Sequence, residues 1–200
     1  MEKKTNIVTP KGVLVYPHIS QKPDTKFDDE GAWKTTLRLN GDDAKTLIDI
    51  IDKQIDESVD EAQEKKKNVK RGNPPYKVDE ETGEYLFNFK LKASGTRPNG
   101  ETWSQKPVLY DAKGNLLGKD VHVWGGSEGK VAFQPIKFHT AMIGASVSLR
   151  LKAVQITKLV EGGNGASASS YGFGSEDGYE VESTPPAMAE EINAKEVEDF

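Results

Sequence analysis

Cysteine is missing from all 200 residues, which removes disulfides, thiolate nucleophiles and cysteine-ligated zinc and suits a reducing cytoplasm. Histidine is scarce: His18, His122 and His139 stand far apart and match no metal-ligand spacing. No apolar run approaches the roughly eighteen residues of a membrane span, and the opening MEKKTNIVTP is charged where a signal peptide is apolar. A soluble, unexported protein with no membrane partner is expected. Hydrophobic residues make up 35% and aromatics 8%, enough for one core and hardly two.

Catalytic signatures are missing too. GGSEGK (125–130) fails as a phosphate loop, because Trp124 stands where that motif needs glycine and Val131 where it needs Ser or Thr. DAKGN (111–115) has too few oxygen ligands for a calcium loop, and a β-turn explains it. No serine sits in a nucleophile elbow. The carboxylates Asp49, Asp52, Asp56 and Asp60 read as the solvated face of a helix. Neither a cofactor nor a metal nor enzymatic activity is expected.

Charge, by contrast, is unevenly placed. Residues 161–200 hold ten acidic side chains against Lys195, a net of −9, while residues 1–160 hold 26 basic against 22 acidic, a net of +4. A basic body with an acidic tail fits a polyanion binder with an interaction segment; a tail that only aids solubility fits as well. Composition shifts at Val160 into the Gly/Ser-rich EGGNGASASSYGFGSEDGYE, which cannot bury enough apolar surface to offset its ordering entropy. The expected division is therefore a domain at 1–160 and a flexible linker with a disordered acidic tail at 161–200.

Within the body, GVLVYPHI (12–19) reads as a strand, and AWKTTLRL (32–39) alternates, Trp33, Thr35, Leu37 and Leu39 opposite Lys34, Thr36 and Arg38. Residues 42–64 switch to helical spacing, with Ala44, Leu47, Ile48, Ile51, Ile55, Val59 and Ala62 as the apolar stripe and Asp42 or Asp43 as N-cap. KKKNVKRGNPPYKV (65–78) reads as a basic loop. YLFNFKLKA (85–93) alternates again, and Asn99-Gly100 marks a hairpin turn. PVLYDAKGNLLG (107–118), DVHVWGG (120–126), KVAFQPIKF (130–138) and ASVSLRLKAVQITKLV (145–160) read as further strands, the last with Val147, Leu149, Leu151 and Ala153 on one face. Short strands with one helix indicate a small Greek-key barrel or a sandwich.

Aromatics interleave with cations in these strands. Single-stranded nucleic acid offers phosphates to Lys and Arg and base faces to aromatic rings. The candidates for nucleic-acid contact are Lys34, Arg38, Lys65, Lys67, Arg71, Tyr76, Phe87, Lys90, Lys92, Arg97, Trp103, Lys106 and Trp124. Rings that share a face with leucines, such as Trp33 and Phe87, also read as core. Trp103, in polar surroundings past a turn, either covers the barrel end or meets a ligand.

The order of these segments resembles the OB-fold single-stranded DNA-binding proteins of tailed bacteriophages. The resemblance is carried by the strand pair before a helix, the YLFNFKLKASGTRP hairpin region, PVLYDAKGNLL, WGGSEGKVAFQPIKF and the closing GASVSLRLKAVQITKLV. It implies a mainly β chain: a five-stranded Greek-key barrel capped by one α-helix, with extra hairpin strands. It further implies a protein that coats and protects single-stranded DNA in phage replication and recombination, without strong sequence preference, in the cytoplasm of the infected host. In this reading the tail contacts replication proteins, such as a polymerase, helicase or primase, through Glu198, Asp199 and Phe200, and a homodimer stays open. The competing reading is a β-rich virion structural or assembly protein.

Overall fold

Alternation sorts the side chains of two central strands, β3 (Ala32–Leu39) and β5 (Tyr85–Lys92), as the sequence pattern predicts. Trp33, Thr35, Leu37 and Leu39 are buried on β3, and Phe87, Phe89 and Leu91 on β5, while the charged positions between them face outward. The computed structural model describes residues 6–26, 29–65, 68–118 and 120–160. In it these strands are joined by β1 (Ile7–Val8), β2 (Gly12–His18), helix α1 (Gly41–Lys65), β4 (Tyr76–Val78), β6 (Ser94–Thr96), β7 (Thr102–Ser104), β8 (Val108–Tyr110), β9 (Glu128–Thr140) and β10 (Gly144–Lys158).

Five strands close on themselves. β2 pairs with β3, β3 with β5, β5 with β10, β10 with β9, and β9 again with β2. Only the β5–β10 pairing among these is parallel. This is the five-stranded Greek-key OB barrel, with β1, β4 and β8 added at its edges and β6–β7 forming a separate hairpin. Glycine stands on both sides of the closing seam. Gly12 faces Gly129 across β2 and β9; a Cβ on Gly12 would lie 2.5 Å from the Arg38 carbonyl oxygen, and one on Gly129 would fall on that of Gln155. With no side chain at either point, β2 lies close against β3 and β9 close against β10.

Phe87, Phe89, Phe133, Leu149 and Leu151 fill the interior, the rings of Phe89 and Phe133 meeting at 5.2 Å and 59°. Full burial of such a side chain contributes about 1.5–3 kcal/mol. α1 lies between β3 and β5 in sequence and packs on β10 and β9, burying Leu47, Ile51 and Ile55. Ser58 on the same face donates to the Ser146 carbonyl oxygen at 3.1 Å, which satisfies a buried hydroxyl.

Several sequence expectations change. The helix cap is Asn40 and not Asp42 or Asp43: its Oδ1 accepts from the Asp43 amide at 2.9 Å, and its Nδ2 donates back to the Asp43 carboxylate at 2.7 Å. Ala153 leaves the core face because β10 slips register against β9 between Leu151 and Ala153, after which Val154 and Ile156 point inward. DVHVWGG forms no strand; the Val123 amide is taken by the Ser20 hydroxyl at 3.1 Å, and Gly126 turns the chain at φ 91°. The basic loop contains a strand, since Tyr76–Val78 pairs with the start of β5. The Asn99-Gly100 turn closes the β6–β7 hairpin as expected, with Gly100 at φ 84°. DAKGN is a turn held by the Asp111 carboxylate, which accepts from the amides of Lys113 and Asn115. The expected tail at 161–200 lies outside the described residues.

Candidate nucleic-acid interface

Register determines which outward side chains become neighbours. His18 of β2 pairs with Lys34 of β3, Lys34 with Lys90 of β5, and Lys90 with Arg150 of β10. One row perpendicular to the strands thus carries a histidine and three cations across four adjacent strands. At about 4.8 Å per strand the row spans roughly 14 Å. Like charges directly opposite one another destabilise a sheet; Asp24 offsets the charge of Lys34, and an anion lying along the row would do the same for Lys90 and Arg150.

The cations of this face differ in how they are held. Lys34 is paired with Asp24; the hydrogen bond from Lys34, followed by that from the Lys26 amide, holds the Asp24 carboxyl below the ordinary aspartate range. Arg150 Nη2 reaches Gln105 Oε1 at 3.4 Å. Lys90 is exposed and has no ion-pair partner among the described residues. Beside the row, Thr36 and Asn88 share a hydrogen bond of 2.9 Å, Lys92 pairs with Glu30, and Arg38 Nε lies 3.3 Å from Glu84 Oε2 without hydrogen-bond alignment.

Lys106 stands over Trp33, its Nζ 5.2 Å from the ring centroid, and donates to the Ser20 carbonyl oxygen. Trp33 itself is buried and donates through Nε1 to the Gln105 carbonyl oxygen at 2.7 Å. Trp103 is half-buried over Gly95 in the β6–β7 hairpin, where a Cβ on the glycine would lie 2.8 Å from the indole. Its ring therefore covers that hairpin's backbone. Arg97, at the hairpin tip, pairs with Glu101 at 3.0 Å. Trp124 is 37% exposed and borders a cavity of about 220 Å³ beside His18 and His122.

Other candidates fall elsewhere. Phe87 is fully buried, so the sequence assignment of this ring to DNA is corrected: its face of β5 is the core, and no base can reach it. Arg71 is bound to Asp52 at 3.1 Å and to Asp56, both on α1. Tyr76 donates to the same Asp52 carboxylate at 3.1 Å and packs its ring on Tyr85 and Phe87. Burial first, then the Asp52 carboxylate, pushes its phenol up to about 12. Lys65 sits at the end of α1 near Lys137, which bridges Glu57 at 2.9 Å and Glu61 at 2.7 Å. Lys67, Glu198, Asp199 and Phe200 lie outside the described residues.

Three residues of this surface escape sequence reasoning. Arg150 shows its outward face by alternation, but only the parallel β5–β10 pairing sets it beside Lys90. His122 belongs to a segment without periodicity. Tyr16 is 82% exposed at φ 47° in a bulge of β2, a left-handed backbone that costs a non-glycine residue about 1–2 kcal/mol. Among the described residues no group of three or more His, Cys, Asp or Glu converges to hold a metal.

The model of the family "Single-stranded DNA-binding protein, Bacteriophage T7" matches residues 11–159, the whole barrel and its helix. The chain belongs to this family. Single-stranded DNA binding in phage replication is the family's function, and the virion alternative gains no support from it. Among curated proteins none matches the chain. Of solved structures, gp2.5, a single-stranded DNA-binding protein encoded by bacteriophage T7, is similar at 25% identity and a TM-score of 0.69, over 89% of this chain and 99% of that one. The single-stranded DNA-binding protein of bacteriophage Enc34, in complex with ssDNA, shares the fold at 20% identity and a TM-score of 0.59, over 80% of this chain and 89% of that one.

Proposed function

We propose that this protein coats single-stranded DNA by laying its backbone along the His18–Lys34–Lys90–Arg150 row, without strong sequence preference and without catalysing a reaction. The observation that carries the reading is the register that aligns these side chains across β2, β3, β5 and β10. OB barrels bind oligonucleotides on the face of their second and third strands, which in this chain are β3 and β5. Phosphates supply the matching charge, and contact to the backbone is indifferent to base identity. At about 3.4 Å per stacked nucleotide the row accommodates roughly four.

The acidic segment 161–200, with its net charge of −9, competes for the same cations until DNA displaces it, since DNA has the higher linear charge density. Once displaced, Glu198, Asp199 and Phe200 are available to replication proteins of the infected host's cytoplasm, the ring entering an apolar pocket and the carboxylates meeting Lys or Arg. Deleting residues 161–200 is expected to raise the affinity for oligo-dT, read from quenching of tryptophan emission. Unchanged or lower affinity would remove the competition.

A further inference from the structure

The sequence has four arginines, and three of them face a carboxylate. Arg38 lies beside Glu84, Arg71 is bound to Asp52 and Asp56, and Arg97 pairs with Glu101. Arg150 differs: among the described residues its side chain meets a neutral amide and no acid, with Nη2 donating to Gln105 Oε1 at 3.4 Å. This exception falls on the arginine that ends the cationic row, beside Lys90.

The choice of partner decides what the arginine can still do. A carboxylate fixes a guanidinium and cancels its charge together, whereas an amide oxygen fixes it and leaves the charge whole. The bond to Gln105 occupies one of five N–H donors, and a bidentate phosphate contact needs only two. It is also longer than the usual N–H···O distance, so it orients the guanidinium without tying it down.

Gln105 is itself held on three sides. Its Nε2 donates to the Lys92 carbonyl oxygen at 2.8 Å, its backbone N–H donates to the Ala93 carbonyl oxygen at 2.8 Å, and its carbonyl oxygen accepts from Trp33 Nε1 at 2.7 Å. Lys92 ends β5, and Trp33 is a buried residue of β3. The anchors therefore belong to the strands that carry Lys34 and Lys90. The Lys92 contact also sets which way the amide faces: with Nε2 committed to a carbonyl oxygen, Oε1 is the atom turned to Arg150.

We propose that Gln105 is the positioning residue of the phosphate row, holding the Arg150 guanidinium in line with Lys90 while leaving its charge available to a phosphate. The proposal rests on the reading of the row as the phosphate track. It assigns the half-buried segment after the β6–β7 hairpin a part in DNA binding without requiring that Gln105 touch DNA.

The test is a double-mutant cycle on the full chain, with oligo-dT affinity and its salt slope measured for the unaltered protein, Gln105→Glu, Arg150→Ala and the two combined. Gln105→Glu gives Arg150 the acidic partner that the other three arginines have. Affinity at roughly 50 mM salt is expected to fall about tenfold and the slope to become shallower by about 0.7. In the Arg150→Ala background the same substitution changes affinity by less than about threefold and leaves the slope where it was. Gln105→Ala, which removes the tether and adds no charge, lowers affinity only when Arg150 is present, and it serves should Gln105→Glu not fold. Equal losses with and without Arg150 would mark a carboxylate that simply repels DNA or a hairpin that has lost its anchor, and they overturn the positioning role while the row stands. Full affinity in both Gln105 variants overturns it as well. An Arg150→Ala protein with the affinity and slope of the unaltered one overturns the row, and the positioning role with it.

Discussion

Two surfaces of this molecule carry comparable positive charge and treat it in opposite ways. The segment 65–78 packs six cations into a short stretch, yet Arg71 is held by Asp52 and Asp56 on α1, and Lys65 ends the same acid-lined helix. On the barrel face the cations come one to a strand, and register lines up Lys34, Lys90 and Arg150. At Arg71 the charge that the sequence concentrates is neutralised by the fold itself. Charge aligned across strands marks where it leaves a field for a ligand.

The largest expected effect breaks that comparison directly. Each phosphate contact with a salt slope of about 0.7 is worth about tenfold in affinity near 50 mM salt, so Lys90→Glu with Arg150→Glu lowers oligo-dT affinity by about a hundredfold or more. Arg71→Glu, measured in the same titration, changes it by less than about threefold. Comparable losses from the two variants would erase the distinction between the surfaces.

A smaller effect sharpens the α1 side. The Tyr76 phenol, raised from 10.0 to about 12, holds its proton more tightly in the fold than in the unfolded chain. Its contribution to stability is therefore complete below the unfolded value of 10.0 and is lost as pH rises toward about 12. Thermal melts across that window should show a decline that Tyr76→Phe flattens. A decline of the same size in Tyr76→Phe would place its origin elsewhere.

Much of the barrel is legible in sequence because β3 and β5 each carry one buried and one wet face, and period-two alternation records that division. The stripe of α1 and the Asn99-Gly100 turn are legible for equally local reasons. What escapes is set by partners distant in sequence. The bulge at Ala153 exists because β10 must follow β9 around the closure, and the 120–126 segment loses its strand because Ser20 takes the Val123 amide. The site divides in the same manner. Lys34 and Lys90 are visible as outward cations, whereas Phe87 misleads as an aromatic close in sequence to the cations of β5, because its ring belongs to the inner face. Arg150, His122 and Tyr16 acquire their place only from pairing, turn and strain that no single stretch encodes.

The most direct measurement is the slope of log affinity for oligo-dT against log salt, taken for the unaltered protein beside Lys34→Ala/Lys90→Ala/Arg150→Ala. A row that holds one phosphate per cation predicts that the variant's slope is shallower by about 2. An unchanged slope in a folded variant would contradict the row as the path of the DNA backbone.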